Sequence, residues 1–189
     1  MQEGTEMTAE NMRLFFAINL PPDLRQEISE KLLPLIPKCK WGRVLPENLH
    51  VTMHFLGYWP KDEIARLEKQ VQPLQKFGCF EAEANCVGHF KGRVLWLGFG
   101  NGTEEFNLLN RKLQACLGTH DDRFHAHITL ARNKGANKKE AEELVGLLGE
   151  NFSGRAVLVK SLDLMQSQLR KAGPKYSMLF SVKLTQAHG

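Results

Sequence analysis

Two short segments of the sequence repeat one pattern of histidine and threonine. The segments are NLHVTMHFLG at residues 48–57 and FHAHITLARN at residues 124–133, and together they hold four of the seven histidines in the chain. In both segments polar and apolar residues alternate, which is the period of a β-strand with one buried face. Each is followed by a segment with helical periodicity, so the sequence predicts a fold made of two similar strand-helix halves.

The other predicted elements support this duplication. Their order is β-α-β-α-β-β and then α-β-α-β-β. The predicted ranges are strand 14–20, helix 23–36, strand 50–57, helix 61–77, strands 80–90 and 93–100, helix 103–118, strand 125–132, helix 138–150, and strands 155–169 and 175–184. A chain of 189 residues suits one domain. We therefore predict a single α+β domain of two similar lobes at residues 13–189, preceded by a flexible tail at residues 1–12.

Composition and charge narrow the class of protein. No apolar run approaches the ~20 residues of a membrane-spanning helix, and the polar start of the chain lacks the apolar core of a signal peptide. We expect a cytoplasmic protein with no membrane partner, and nothing in the sequence requires more than a monomer. The four cysteines form no CxxC pair and are expected to be reduced thiols. A net charge of +4 permits a polyanionic partner without requiring one.

Alternation along a strand places the histidine and the threonine of each H-x-T pattern on the same face. His50 then points the same way as Thr52, and His127 points the same way as Thr129. The opposite faces are apolar and suit the core. The polar faces must meet water, a ligand or each other, because a buried imidazole or hydroxyl without a partner costs roughly 1–3 kcal/mol.

Two imidazoles and two hydroxyls around one cleft suit attack on a phosphodiester. One histidine takes a proton from the nucleophile, and the other gives a proton to the departing oxygen. An ordinary histidine pKa of about 6.5 lets both protonation states coexist at neutral pH. The threonine hydroxyls can donate hydrogen bonds to the non-bridging phosphate oxygens. None of these steps needs a metal ion or a cofactor, and we predict neither.

A metal site and a purely structural role are the alternatives. The candidate metal ligands are the imidazoles of His50, His54, His125 and His127, with Asp121 and Asp122 close by in the sequence. Against a metal site, neither strand contains Asp, Glu or Cys, and the threonines would have no role. A single H-x-T pattern occurs by chance at a strand edge. Two copies, each in an alternating strand followed by a helix, favour a functional site.

HVTMHFLG and HAHITLAR resemble the paired H-x-T signatures of the 2H phosphoesterases. They are most similar to those of the RNA 2′,3′-cyclic phosphodiesterases, long called 2′-5′ RNA ligases. The resemblance extends to RLFFAINLPPDLRQEI, WGRVLPENLHVTMHFLG, RVLWLG and SQLRKAGPKYSMLFSVKL, and covers about residues 13–184. It implies a two-lobed fold with pseudo-two-fold symmetry, in which two antiparallel sheets flank a central cleft and the helices lie outside.

The resemblance also implies a reaction. A terminal 2′,3′-cyclic phosphate of RNA would be hydrolysed to a 2′-phosphate without a metal, with His50 and His127 as the catalytic residues. We assign His127 as the base that activates water and His50 as the acid that protonates the departing 3′-oxygen, although the near symmetry of the two patterns leaves the opposite orientation open. The reverse reaction would join a cyclic end to a 5′-hydroxyl through a 2′-5′ bond without ATP.

The resemblance assigns further residues to the phosphate site. Thr52 and Thr129 are expected to bind the phosphate. Arg132 matches the arginine that closes the second motif, but strict alternation from His127 points it away from the cleft unless the strand bends near Ala131. His125 is expected to support the site.

Two aromatic residues and one further histidine are candidates for other roles. Trp41 is expected in a loop beside the first motif, where it could stack on a base. Phe55 could also stack on a base, but it shares the apolar face of its strand with Val51 and Met53, so we expect it in the core. His54 is expected to be a bystander.

Two rival functions use the same residues. An RNA- or nucleotide-binding module would keep the pocket without turnover, and the presence of both complete H-x-T patterns argues against it. A related phosphodiesterase would act on a small cyclic nucleotide or a 2′-5′ oligonucleotide, and the walls of the cleft decide between these substrates. The expected partner is an RNA or oligonucleotide that ends in a 2′,3′-cyclic phosphate.

Overall fold

A computed structural model of the chain describes residues 10–171 and 173–185. Most of the expected tail, residues 1–9, lies outside the described residues, whereas Asn11 and Met12 begin the first strand. The elements are β1 (Asn11–Asn19), α1 (Pro22–Glu27), β2 (Trp41–Arg43), β3 (His50–Pro60), α2 (Ile64–Val71), β4 (Phe80–Phe90), β5 (Val94–Phe99), α3 (Thr103–Leu117), β6 (His127–Asn133), α4 (Lys138–Glu150), β7 (Arg155–Val159), β8 (Ser161–Arg170) and β9 (Gly173–Lys183).

The strands form two lobes that meet at the H-x-T strands. The strand order is β7-β4-β5-β6-β3-β1-β8-β9, with β2 attached to β6, and neighbouring strands run antiparallel. The first four strands of this order form one lobe and the last four form the other. One residue pair, Val51 with Ile128, connects β3 to β6. Instead of the two separate sheets that were expected, the described strands form one nine-stranded sheet, whose two lobes are joined at a narrow junction.

Val51 and Ile128 are the central residues of the two H-x-T patterns. Because the strands are antiparallel, their pairing places His50 across from Thr129 and Thr52 across from His127. The predicted two-lobed α+β fold is confirmed, and the junction of the lobes lies between the two H-x-T patterns.

The segment predicted as one strand at 155–169 forms two strands in different lobes. β7 pairs with β4 in one lobe, whereas β8 pairs with β1 and β9 in the other, and the chain passes between the lobes at Lys160. The prediction of a single strand is wrong because both strands have the same alternating pattern. Only their pairing partners, which are distant in sequence, distinguish them.

The main apolar core lies on one face of the sheet and continues through both lobes. α4 packs on β4, α2 packs on α3, and α3 packs against β3. A smaller apolar cluster of Phe15, Ala17 and Met165 lies on the other face, beside the polar side of β3. Within the described residues, no helix is both long enough and apolar enough to cross a membrane.

Candidate active site

A β-bulge follows the H-x-T pattern in each strand. The register of β3 against β1 shifts at Met53, and the register of β6 against β5 shifts at Leu130. In both strands the extra residue comes directly after the threonine. The shift reverses the alternation of faces, so the third residue after each threonine lies on the same face as the histidine. These residues are Phe55 and Arg132.

The bulge at Leu130 brings Arg132 to the cleft. Arg132 lines a cavity of about 390 Å³ together with His50, Thr52 and Thr129. Burial is the main cause of the lowered pKa of His50 and of His127, and the positive charge of Arg132 adds to both shifts. From the sequence, Arg132 was expected to reach the cleft only if the strand bends near Ala131. The bulge at Leu130 provides that bend.

Phe55 is exposed and Trp41 is buried, which is the reverse of what the sequence predicted. Phe55 is 63% exposed and lines the same cavity, because the bulge at Met53 turns it away from the core. Trp41 is only 2% exposed, because β2 pairs with the end of β6 and buries the indole in the main core. The predictions of a core role for Phe55 and a stacking role for Trp41 are therefore wrong.

Each imidazole of the H-x-T patterns is held by the backbone carbonyl two residues before it. Nδ1 of His50 lies 2.7 Å from the carbonyl oxygen of Asn48, and Nδ1 of His127 lies 2.7 Å from that of His125. A carbonyl only accepts hydrogen bonds, so Nδ1 carries the hydrogen in the neutral ring and Nε2 is the basic nitrogen. Nε2 of His50 lies 2.9 Å from Oγ1 of Thr52, which can donate to it.

Burial lowers the pKa of both imidazoles. The pKa of His50 falls to about 4, mainly through burial and further through repulsion by His127 and Arg132, while the carbonyl of Asn48 opposes the change. Burial also lowers the pKa of His127, with repulsion by His125 and Arg132 adding to it. The expectation of an ordinary pKa does not hold for His50, which is neutral at neutral pH in the protein alone.

Aromatic side chains pack against both imidazoles. The ring centroid of His50 lies 5.1 Å from that of Phe15 and 5.4 Å from that of Tyr176. The ring centroid of His127 lies 4.9 Å from that of Phe90 and 5.9 Å from that of His125. The predicted supporting residue His125 is thus in contact with His127 through its ring and its carbonyl, whereas Phe15 and Phe90 were missed from the sequence.

Trp96 was also missed, although two glycines indicate it. Its ring centroid lies 5.0 Å from that of His125. A Cβ atom added at Gly88 would lie 2.4 Å from a ring carbon of Trp96, and one added at Gly98 would lie 2.8 Å from another. Glycine inside a strand marks a close approach of another group. Here the two glycines leave room for the indole that supports the second H-x-T pattern.

The four histidines of the two segments do not gather into a metal site. His54 pairs in register with Phe16 on the opposite face of β3, and its Nε2 atom lies 3.3 Å from Oγ1 of Thr119. Over residues 10–171 and 173–185, no group of three or more His, Cys, Asp or Glu side chains is arranged to hold one metal ion. The metal ligand set considered from the sequence is therefore not assembled there.

Comparison with known proteins places this geometry in a family. A family model described as the 2′-5′ RNA ligase superfamily matches residues 20–170. The chain belongs to this superfamily. Among its relatives is an RNA 2′,3′-cyclic phosphodiesterase of Archaeoglobus fulgidus, 31% identical over 175 residues that cover 89% of this chain and 98% of the relative. Another, from Aeropyrum pernix, is 33% identical over 148 residues that cover 72% and 82%.

Solved structures show the same superfamily fold. Escherichia coli LigT complexed with phosphate is 26% identical and superposes with a TM-score of 0.75, covering 94% of this chain and 100% of that chain. The protein TT0787 of Thermus thermophilus is 26% identical with a TM-score of 0.74 and the same coverage. The resemblance drawn from the two H-x-T segments is confirmed.

Proposed function

We propose that this protein hydrolyses the terminal 2′,3′-cyclic phosphate of RNA to a 2′-phosphate, with His50 and His127 as a metal-independent acid–base pair. The observation that carries the proposal is the pairing of Val51 with Ile128, which brings the two H-x-T patterns together at the junction of the lobes. Relatives named RNA 2′,3′-cyclic phosphodiesterase support the substrate, and the phosphate complex of LigT supports a phosphate site in this fold.

The phosphate is held by two hydroxyls and one guanidinium. Thr52, Thr129 and Arg132 line the same cavity, and each has hydrogen-bond donors for non-bridging phosphate oxygens. A hydrogen bond from a charged donor to a phosphate is roughly twice as strong as a neutral one. These donors stabilise the charge that develops on the phosphate oxygens in the transition state.

Phe55 takes the base-stacking role that the sequence suggested for Trp41. Its ring is exposed and borders the cavity that contains His50 and Thr52. Tyr176 borders the same cavity from β9, so an aromatic surface lies next to the phosphate donors. Stacking of this kind tolerates any of the four bases, because every base has a π-face.

The roles of the two histidines follow the orientation assigned from the sequence. His127 takes a proton from water on Nε2, the water oxygen bonds to phosphorus, the bond from phosphorus to the 3′-oxygen breaks, and His50 gives its proton to that oxygen. Burial of His127 favours the neutral form that a base needs. His50, with a pKa of about 4, becomes protonated only when the substrate phosphate lies beside it. A negative charge within about 4–6 Å of an imidazole raises the pKa of that imidazole by about 1–3 units.

The pH dependence of turnover should therefore differ between the free protein and the complex. The pKa values of His50 and His127 are both lowered in the free protein. As the pH rises, both imidazoles are therefore already neutral at a pH below the ordinary histidine pKa of about 6.5. We expect kcat/KM to decline from that pH upward. The alkaline decline of kcat should lie at higher pH, because the bound phosphate holds the proton on the pair.

Both profiles can be measured with a short RNA ending in a 2′,3′-cyclic phosphate, between about pH 4 and 9. An oligonucleotide with an uncleavable 2′-phosphate end serves as the matched control, since its binding should take up a proton over the same range. Superimposed alkaline declines of kcat and kcat/KM would contradict the proposed coupling of substrate binding to protonation of His50.

The function itself is tested by incubating that RNA with the protein in excess chelator and determining the position of the product phosphate. We expect full hydrolysis and a 2′-phosphate. A 3′-phosphate would keep the acid–base pair but reverse the leaving oxygen. Tight binding of a 2′-phosphate end without hydrolysis would favour a binding module, and turnover confined to mononucleotides would favour a phosphodiesterase for small cyclic nucleotides.

A further inference from the structure

Two buried amide side chains of α3 contact the first H-x-T strand from the core side. Asn110 and Gln114 are 3% and 6% exposed, one helical turn apart. Nδ2 of Asn110 donates to the carbonyl oxygen of Met53 at 2.6 Å, and Nε2 of Gln114 donates to Oδ1 of Asn110 at 2.5 Å. We call Asn110 and Gln114 the amide bridge.

The amide bridge continues to the segment before the second H-x-T strand. Nε2 of Gln114 donates to the carbonyl oxygen of Asp121 at 3.1 Å, and the backbone N–H of Asp121 donates to Oε1 of Gln114 at 2.5 Å. The side chain of Gln114 therefore pairs with both backbone groups of Asp121, as a neighbouring strand would. Both Nε2 hydrogens are used, one for Asn110 and one for Asp121.

Asn110 contacts the first H-x-T strand at its bulge. Met53 is the extra residue of the bulge in β3, directly after Thr52. A bulge leaves its extra residue without a regular partner in the strand ladder, and a buried carbonyl needs a donor. Asn110 supplies that donor where the strand changes register, which is the change that brings Phe55 to the cleft.

We propose that the amide bridge positions the two H-x-T strands relative to each other, so that both imidazoles keep the separation that proton transfer requires. The backbone connection between β3 and β6 consists of the pair Val51–Ile128. The amide bridge adds a second connection, from Met53 to Asp121, which precedes His127 by six residues. Asn110 and Gln114 are positioning residues, and their role rests on the proposed function of the cleft.

The first test is Asn110→Asp, which keeps the shape of the side chain. The ionised carboxylate cannot donate to Met53, whereas the protonated carboxyl can. We expect kcat relative to the native protein to fall about 10–100-fold at high pH, because a small misplacement of a catalytic group has an effect of this order. The ratio should recover as the introduced carboxyl becomes protonated. Gln114→Glu should lose activity in the same pH range but recover only in part, because a protonated carboxyl has one hydrogen for the two acceptors that Nε2 of Gln114 serves.

Leu113→Ala is the matched control. Leu113 is fully buried on the same helix between the two amides and forms part of the apolar core. This variant should lower the melting temperature, with a kcat ratio to the native protein that does not depend on pH. A pH-dependent recovery in Leu113→Ala as well would assign the effect to general loosening of α3 and overturn the proposal.

The second test reads both lobes without using turnover. Asn110→Leu and Gln114→Met remove the amides without adding charge, and the imidazoles of His50 and His127 are titrated by NMR. Asn110 contacts the strand of His50, and Gln114 contacts the segment before the strand of His127. We expect each variant to shift the pKa of the histidine in the other strand: Asn110→Leu that of His127, and Gln114→Met that of His50. Native pKa values for both histidines in folded variants would overturn the proposal.

The two tests also separate this proposal from the proposed function. If the native protein fails to hydrolyse the RNA, the histidine titrations still decide whether the amide bridge positions the imidazoles. If Asn110→Asp or Asn110→Leu does not fold, Gln114→Glu and Gln114→Met carry the same tests from the other end of the bridge. Native kcat at all pH values in folded Gln114→Glu would overturn the proposal even if the RNA is a good substrate.

Discussion

Replacing either His50 or His127 with alanine is expected to lower kcat for RNA 2′,3′-cyclic ends by about 10²–10⁴-fold, the usual contribution of one proton transfer. The double variant should lose far less than the product of the two single losses, because both imidazoles act in the same step. Single-turnover hydrolysis of a cyclic-ended RNA measures these losses directly.

His54→Ala is the control for the loss of an imidazole from β3. His54 lies on the opposite face of the strand, with its Nε2 atom near Thr119 rather than in the cleft. We expect it to keep native kcat and the native fold. Native kcat in both His50→Ala and His127→Ala would refute the proposed acid–base pair.

A substrate with sulfur in place of the 3′-oxygen distinguishes the acid from the base. A thiolate is a much better leaving group than an alkoxide, since thiols ionise near a pKa of about 8.5. The substitution should therefore restore much of the turnover of His50→Ala, which lacks the acid, and little of that of His127→Ala. Restoration of His127→Ala instead would exchange the two roles.

The two H-x-T strands share the same local backbone features but bring different side chains to the cleft. In both, a carbonyl two residues earlier fixes the tautomer, and a bulge after the threonine turns the third following residue to the cleft. That residue is Phe55 in one lobe and Arg132 in the other. The duplicated pattern thereby brings an aromatic ring and a cation to the same cavity, where the proposed function assigns them to a base and a phosphate.

Alternation in the strands, together with helical periodicity between them, was enough to predict the fold class. The shared face of each histidine and threonine was predicted from alternation alone, because these residues are two positions apart and the bulges begin only after the threonine. The positions of Phe55 and Arg132 depend on the register against β1 and β5, which lie elsewhere in the sequence. For that reason strict alternation gave the wrong face for both Phe55 and Arg132, and only the match of Arg132 to the family motif left its position open.

The surroundings of the imidazoles could not be predicted either, because they come from long-range packing. Phe15, Phe90 and Tyr176 lie on three different strands and meet the histidines only in the folded chain. The lowered pKa of His50 follows mainly from its burial, so it was equally beyond the sequence. The glycines at positions 88 and 98 were the one local sign of the packed Trp96.

Trp41→Ala and Phe55→Ala form the second pair of tests and should have opposite consequences. Trp41 is among the largest fully buried side chains, and removing such a side chain costs about 3–5 kcal/mol of the free energy of unfolding. A loss of this size is a large share of the roughly 5–15 kcal/mol that holds a typical domain folded. We expect a strongly lowered melting temperature in thermal denaturation.

Phe55→Ala should change unfolding by only about 0.5 kcal/mol, because most of the side chain is already exposed. Its expected effect is on substrate: loss of one stacked base contributes about 1–3 kcal/mol, so KM for a cyclic-ended RNA should rise roughly 5- to 150-fold. Phe55→Trp keeps a stacking ring and should retain most of the affinity, whereas Phe55→Leu should not. Equal destabilisation by Phe55→Ala and Trp41→Ala, with unchanged KM in both, would return Phe55 to the core and leave the base without its proposed stacking partner.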